Sequence, residues 1–134
     1  MVLVDTNVLL DVFENDPAWA DWSRRALLAQ QALHELAIDP VSYAELSMGF
    51  SRRELLDAAI SRLRVTVQTT PPAALFLAGR AYLDYRRRGG QRASVLPDFF
   101  IGGHAAAMGL ALVTRDAARF RTYFPTVNVI APLQ

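Results

Sequence analysis

Four acidic residues stand where carboxylates could act together: Asp5, Glu45, Asp98 and Asp116. Asp5 closes a short apolar run, Val2-Leu3-Val4, and Glu45 lies seven residues after a second run, Leu36 to Ile38. Asp98 follows Pro97 at the head of a glycine- and alanine-rich segment, and Asp116 comes just after Leu112-Val113-Thr114-Arg115. Open parallel sheets bind ligands in the crevice beyond the carboxyl ends of their strands. If the apolar runs are such strands, the four acids share one rim. Gathered in an apolar crevice, they repel one another by something on the order of several kcal/mol unless protons or cations neutralise them. Oxygen donors without any cysteine favour a hard ion, Mg²⁺ or Mn²⁺, over zinc. A site of that kind activates water and positions a phosphodiester for in-line displacement.

Taken singly, each acid also has a purely local reading. Glu45 is the fourth residue of Ser42-x-x-Glu45, a capping-box pattern, and Asp98 and Asp116 are placed to cap helix N-termini. Asp5 could hydrogen-bond its own loop. Capping does not account for an aspartate at the end of a buried strand, nor for four acids facing one crevice.

The elements that must carry these residues follow from periodicity. Val2–Val4, Leu36–Ile38, Val65–Val67, Ala111–Val113 and Val127–Ile130 read as short, buried strands. Helical spacing lies between them. One helix is expected from Asn15-Asp16-Pro17 to about His34, with Trp19, Trp22, Ala26, Leu27 and Leu33 on its apolar side. Capping boxes open helices at Ser42 (to Met48) and at Ser51 (to about Leu63). Thr70-Pro71-Pro72 starts a helix that runs to Arg88 and stops at Gly89-Gly90. Another spans Asp98 to Met108, its Gly102-Gly103 and alanines allowing close packing on a sheet, and a short one covers Ala117 to Phe120. Strands alternating with helices imply right-handed crossovers and a sheet covered on both faces. The expectation is one α/β domain over residues 1–134, a three-layer α/β/α arrangement with a four- to five-stranded parallel sheet.

Composition narrows the chemistry further. A chain of 134 residues, 52% hydrophobic and 20% charged, buries roughly two-thirds of its surface and is neither disordered nor fibrous. It has no cysteine, which removes disulfides, thiolate metal sites and thiol nucleophiles. All 14 basic residues are arginine, so lysine-dependent P-loop and Schiff-base chemistries are excluded. The net charge of +1 sets up no global field toward nucleic acid or membrane. The N-terminal apolar run is broken by Asp5, Asn7 and Asp11 and is not a signal peptide or a span; a cytoplasmic location is expected.

Asp5-Thr6-Asn7 after an N-terminal strand, Glu45 about forty residues on, Pro97-Asp98-Phe99-Phe100-Ile101 opening a helix, and Leu112-Val113-Thr114-Arg115-Asp116 together resemble a PIN-domain ribonuclease. Size and order are similar to those of the toxin in VapBC-type toxin–antitoxin systems, and the resemblance covers essentially the whole chain. It implies a metal-dependent endoribonuclease using Mg²⁺ or Mn²⁺, with Asp5 and Asp98 as principal metal ligands and Glu45 and Asp116 completing the site directly or through water. Asn7 and Thr114 match polar positions that orient the acids or bound waters. The implied partners are an RNA substrate, a cognate antitoxin protein and a second copy of the chain.

Arg86, Arg87, Arg88 and Arg92 put four positive charges within seven residues on the approach to Asp98. They are either a solvated helix end favoured by the macrodipole or a phosphate-gripping loop. Arg115 either pairs with an acid or faces RNA. Phe13, Trp19 and Trp22 read as packing, part of which could form a groove for an antitoxin segment. His34 and His104 have no spacing partner and read as structural. Two other classes compete with the nuclease: a non-catalytic RNA- or protein-binding member of the same fold, whose acids serve only as caps, and an Mg²⁺-dependent phosphotransfer domain. The latter normally wants a second aspartate beside the first, or a late lysine, and this chain has neither.

Overall fold

A computed structural model describes residues 1–133. Strands β1 (Val2–Val4), β2 (Leu36–Ile38), β3 (Val65–Val67), β4 (Ala111–Val113) and β5 (Val129–Ile130) pair in the order β3-β2-β1-β4-β5. All four pairings are parallel. Val4 stands opposite Val113, so the residues that follow β1 and β4 leave the sheet side by side. The helices are α1 (Thr6–Phe13), α2 (Ala20–Gln31), α3 (Pro40–Ser47), α4 (Arg53–Arg62), α5 (Pro72–Arg87), α6 (Leu96–Met108) and α7 (Ala118–Tyr123). A single 3₁₀ turn, Ala93–Val95, leads into α6.

Strand alternation builds two apolar layers. Val2, Val4, Leu36 and Ile38 point to one face and pack with Val8 and Leu9 of α1, Leu27 of α2, Leu46 of α3, and Leu56 and Ile60 of α4. Leu3, Ala37 and Leu112 point to the other, against Phe99, Ile101 and Ala105 of α6 and Phe120 of α7. The three-layer α/β/α expectation and the five-stranded parallel sheet therefore hold.

Several local expectations do not. Thr6–Phe13 is a helix in its own right that starts directly after Asp5, and the long helix expected from Pro17 begins only at Ala20 and ends at Gln31. Asn15, at a φ of 49°, breaks the chain between the two, and Asp16 accepts from the Ala18 and Trp19 amides in the turn. Neither capping box forms. The N-cap of α3 is Asp39, whose side chain accepts from the Val41 amide at 2.7 Å with Pro40 following it. Ser42 is buried inside that helix. Arg52, with no side-chain cap, precedes α4 where Ser51 was expected to do so. Helix α6 begins at Leu96, so Pro97 lies within its first turn. Gly102 and Gly103 pack tightly, against helices and not against the sheet. A Cβ on Gly102 would collide with the Phe124 ring, and one on Gly103 would meet the Ala74 carbonyl of α5 at 2.7 Å.

Candidate active site

Asp5 and Thr114 leave β1 and β4 as neighbours, and the geometry joins them at once. The Asp5 amide donates to the Val113 carbonyl at 2.8 Å, and the Thr114 hydroxyl donates to Asp5 Oδ2 at 2.7 Å. Asp5 is buried and occupies the N-cap of α1, yet its carboxylate does not cap that helix; it is aimed across the sheet rim. Thr6, the next residue, donates its hydroxyl to Glu45 Oε1 at 2.7 Å and exchanges a hydrogen bond with buried Ser42 at 2.8 Å. Thus α1 and α3 are tied together by the residue beside Asp5, and Glu45 is held at the rim by a tertiary contact, not by a capping box.

Asp98 lies in the first turn of α6 and makes no capping bond. Its Oδ2 accepts from Arg119 Nη1 of α7 at 2.8 Å. Asp116 is exposed, ahead of α7, and its amide donates to the Thr114 hydroxyl oxygen at 3.1 Å. The four acids converge on one cleft of about 150 Å³, lined also by Thr6, Asn7, Leu10 and Phe120. The local reading of these acids as caps is therefore not what the structure gives any of them. A larger cleft of about 710 Å³ lies beside the amino ends of β2 and β3 and contains none of the four.

The electrostatics are those of crowded carboxylates. Burial pushes the Asp5 carboxyl up to about 7, the charges of Asp98 and Glu45 adding to the push against the bonds from Thr114 and the Thr6 amide. Burial also raises Glu45, with Asp98 contributing, and Thr6 opposes it. Asp98 is raised by burial and by Asp116, and lowered by Arg119. Asn7 Oδ1 is buried without a hydrogen-bond partner and offers a free acceptor beside the acids.

These observations test whether a cation belongs here. The donor set is oxygen only, negatively charged, partly desolvated and carries one orphaned acceptor, which suits a hard divalent ion. Among the described residues no three His, Asp or Glu side chains are arranged to hold one ion as they stand. Two of the acids are turned to other partners, Asp98 to Arg119 and Glu45 to Thr6. The residues present fit the ion once Asp98 is free to turn.

Arg115 pairs with buried Asp11, Nε donating at 2.9 Å, while Ser23 donates to the same oxygen and the guanidinium lies over the Trp19 ring. Arg86, Arg87, Arg88 and Arg92 are exposed around the end of α5, and none lines the acidic cleft. Arg88 pairs with Asp84 and lies over Tyr123. His104 is buried, its Nδ1 2.8 Å from Asp39 Oδ2. Sequence reasoning missed Arg119, Ser42 and the reach of the Thr6 hydroxyl. The one available signal for Arg119 was a basic residue three positions after Asp116 on a short helix.

An acidic cleft at the carboxyl rim of a parallel sheet, at the point where β1 is flanked by β2 and β4, defines the class as a carboxylate-centred α/β domain. The sequence matches the PIN domain family over residues 2–124, and the chain belongs to that family. It is similar in fold to VapBC2 from Rickettsia felis bound to a DNA fragment from their promoter, with a TM-score of 0.74, 19% identity and 98% of each chain covered. DNA-bound VapBC from Salmonella typhimurium (TM-score 0.72, 22% identity) and VapBC-1 from nontypeable Haemophilus influenzae (0.73, 20%) are likewise covered over 98% of each chain. No curated protein matches the sequence.

Proposed function

We propose that this PIN-domain chain is a metal-dependent endoribonuclease, and that it is the toxin of a VapBC-type toxin–antitoxin pair. The observation that carries the nuclease reading is the convergence of Asp5, Glu45, Asp98 and Asp116 on one cleft whose most buried member, Asp5, is pushed up to about 7. Arg119 pairs with Asp98 alone, and the remaining carboxylates of such a cluster favour a cation among them. Membership of the PIN family and likeness in fold to chains from VapBC complexes support the toxin assignment.

Asp5 and Asp98 would hold Mg²⁺ or Mn²⁺, with Glu45 and Asp116 completing its surroundings directly or through water. A bound ion of this kind supplies activation of water and stabilisation of charge on the phosphodiester. The chain's own residues do the positioning. Thr114 fixes one oxygen of Asp5 and thereby the direction of the other. Thr6 fixes Glu45 by the same means. Asn7 Oδ1, with no internal partner, is free to accept from a water or a ribose hydroxyl. Leu10 and Phe120 wall the cleft and exclude bulk water from one side. RNA is the substrate, a small antitoxin protein and a second copy of the chain are the partners, and Arg86, Arg87, Arg88 and Arg92 add phosphate contacts outside the cleft.

The test is cleavage of a labelled cellular RNA pool with Mg²⁺ or Mn²⁺, compared with Asp5→Ala, Asp98→Ala and an EDTA control. Cutting that requires the metal and both aspartates is the expected result. A folded wild type that cuts nothing the variants leave intact overturns the reading in favour of a non-catalytic RNA- or protein-binding member of the fold.

A further inference from the structure

Arg119 is held from two sides. Its Nη1 donates to Asp98 Oδ2 at 2.8 Å, and its guanidinium lies over the Tyr85 ring, 5.7 Å from the centroid. Tyr85 is itself fixed, packed against Phe99, Tyr82 and Tyr123. The guanidinium therefore sits on a rigid aromatic shelf beside Asp98, which lines the cleft, with donors left over after the bond to Asp98. Among the described residues, no other basic side chain forms an ion pair with any of the four acids: Arg115, the nearest in sequence, is spent on Asp11.

Asp98 cannot give the same oxygen fully to Arg119 and to a divalent ion. As it stands, Arg119 supplies the positive charge that the cluster lacks, and no trio of carboxylates is gathered for an ion. A cation that takes Asp98 Oδ2 displaces the guanidinium, which stays stacked on Tyr85 with a bidentate fork exposed. A phosphodiester brought to the acids is the anion within reach of that fork.

Building on the metal-nuclease reading, we infer that Arg119 is exchanged between two partners: it holds Asp98 in the metal-free protein, and on metal binding it is handed to the phosphate of the bound RNA. Arg119 thus opposes metal binding alone and favours metal and RNA binding together. A cleft empty of RNA is held in a quiet state, and RNA and metal bind cooperatively. The coupling is reciprocal, as any linkage between two ligands must be.

The experiment measures Mn²⁺ binding by calorimetry at pH 8 without RNA, for wild type, Arg119→Gln and Arg119→Lys. Binding of a cleavage-resistant phosphorothioate RNA is then measured with and without Mn²⁺. In Arg119→Gln, Mn²⁺ alone binds roughly five- to tenfold more tightly, since a competing charge has gone. RNA affinity in Mn²⁺ falls roughly tenfold, the size of one charge-assisted contact, and the gain in RNA affinity on adding Mn²⁺ shrinks. Arg119→Lys, which keeps the charge and loses the fork, retains the wild-type Mn²⁺ affinity but not the RNA affinity. A folded Arg119→Gln protein with unchanged or weaker Mn²⁺ binding overturns the inference and leaves the nuclease reading standing. Tighter Mn²⁺ binding with unaltered RNA affinity overturns the hand-over. Wild-type protein that binds no Mn²⁺ overturns both.

Discussion

Two aspartates in this chain occupy the same backbone setting and do opposite things. Asp5 follows β1 and precedes α1; Asp39 follows β2 and precedes α3. Their dihedrals are nearly identical, φ −69°, ψ 147° and φ −69°, ψ 149°, and both are buried. Asp39 spends both oxygens on structural partners: one accepts from the Val41 amide, and the other from Thr70 and from His104 Nδ1. It thereby pins α3, the β3–α5 connection and α6 to one another. Asp5 makes no capping bond to its own helix, accepts from Thr114 and faces three other acids. The difference lies in the neighbours brought by the rest of the fold, not in the strand–Asp–helix unit. A buried carboxylate that declines its own cap, and that burial, with the charges of Asp98 and Glu45 adding to it, pushes up to about 7, is organised for something other than stability.

The largest effect should come from neutralising the strained member of the pair. Asp5→Asn is expected to lower RNA cleavage by roughly 10³-fold or more, the scale of removing one preorganised charge from a reacting site, while leaving the metal-free fold as stable or more so. The sign follows from the raised value. Asp5 holds its proton to about pH 7 when folded and releases it near 4 when unfolded, so the folded state binds the extra proton between those limits. Its contribution is fully present below pH 4 and is lost as pH rises through 7, at up to about 1.4 kcal/mol per pH unit. Glu45 and Asp98, also raised, act in the same direction. Chemical denaturation without metal across pH 4 to 8 should therefore show falling stability in wild type and a shallower fall in Asp5→Asn. An equally steep fall in the variant would mean that Asp5 carries no such strain.

Asp39 should behave in the reverse manner. Asp39→Ala removes an N-cap and leaves His104 and Thr70 without their buried acceptor, costing about 3–5 kcal/mol. Asp39→Asn retains the cap acceptor and should lose distinctly less. Urea denaturation reads both, and cleavage per folded molecule should stay within about tenfold of wild type, the scale of a displaced and not a deleted group. Loss of cleavage on the Asp5→Asn scale, in a variant still folded, would erase the distinction between the two aspartates.

How far this division was visible beforehand differs by element. Three-residue apolar runs and their turn residues were enough to place β1, β2 and β4, because a short parallel strand buried on both faces has almost no other composition open to it; β3, at the sheet edge, leaves Thr66 and Val67 exposed and is not buried as expected. The acids at the strand ends followed, since each is adjacent in sequence to its strand or helix. Helix α1 was hidden because Thr6 enters it directly after Asp5, and its Val8, Leu9, Leu10 and Val12 extend an apolar run already assigned to the strand. Ser42 and Glu45 have capping-box spacing, but Thr6, 36 and 39 residues away, claims both side chains. The pairings of Arg119 with Asp98 and Arg115 with Asp11, across 21 and 104 residues, depend on how α7 and the β4 end dock against α6 and α1. No local pattern encodes them. Asp39 and Asp5 could not be told apart for the same reason, although Pro40 after Asp39 was a hint that one of them served mainly to start a helix.

The smallest effect expected is at the arginines outside the cleft, and it sharpens the comparison by asking whether binding and chemistry occupy separate regions. Arg86, Arg87 and Arg92 are exposed and form no ion pair among the described residues, whereas Arg88 is engaged with Asp84 and Tyr123. Each phosphate contact on a single strand contributes about 0.7 to the slope of log affinity against log salt. Replacing Arg86, Arg87 and Arg92 by Gln should therefore flatten the slope by up to about 2, and adding Arg88→Gln should change it less than any of the others. The pair lost with Arg88 is a surface i,i+4 contact worth about 0.3–0.5 kcal/mol, so stability should hardly move. Cleavage at saturating RNA should also be preserved, because none of the four lines the acidic cleft. A slope indistinguishable from wild type, measured over a tenfold salt range, would make this cluster a solvated helix end whose charges answer only to the α5 macrodipole.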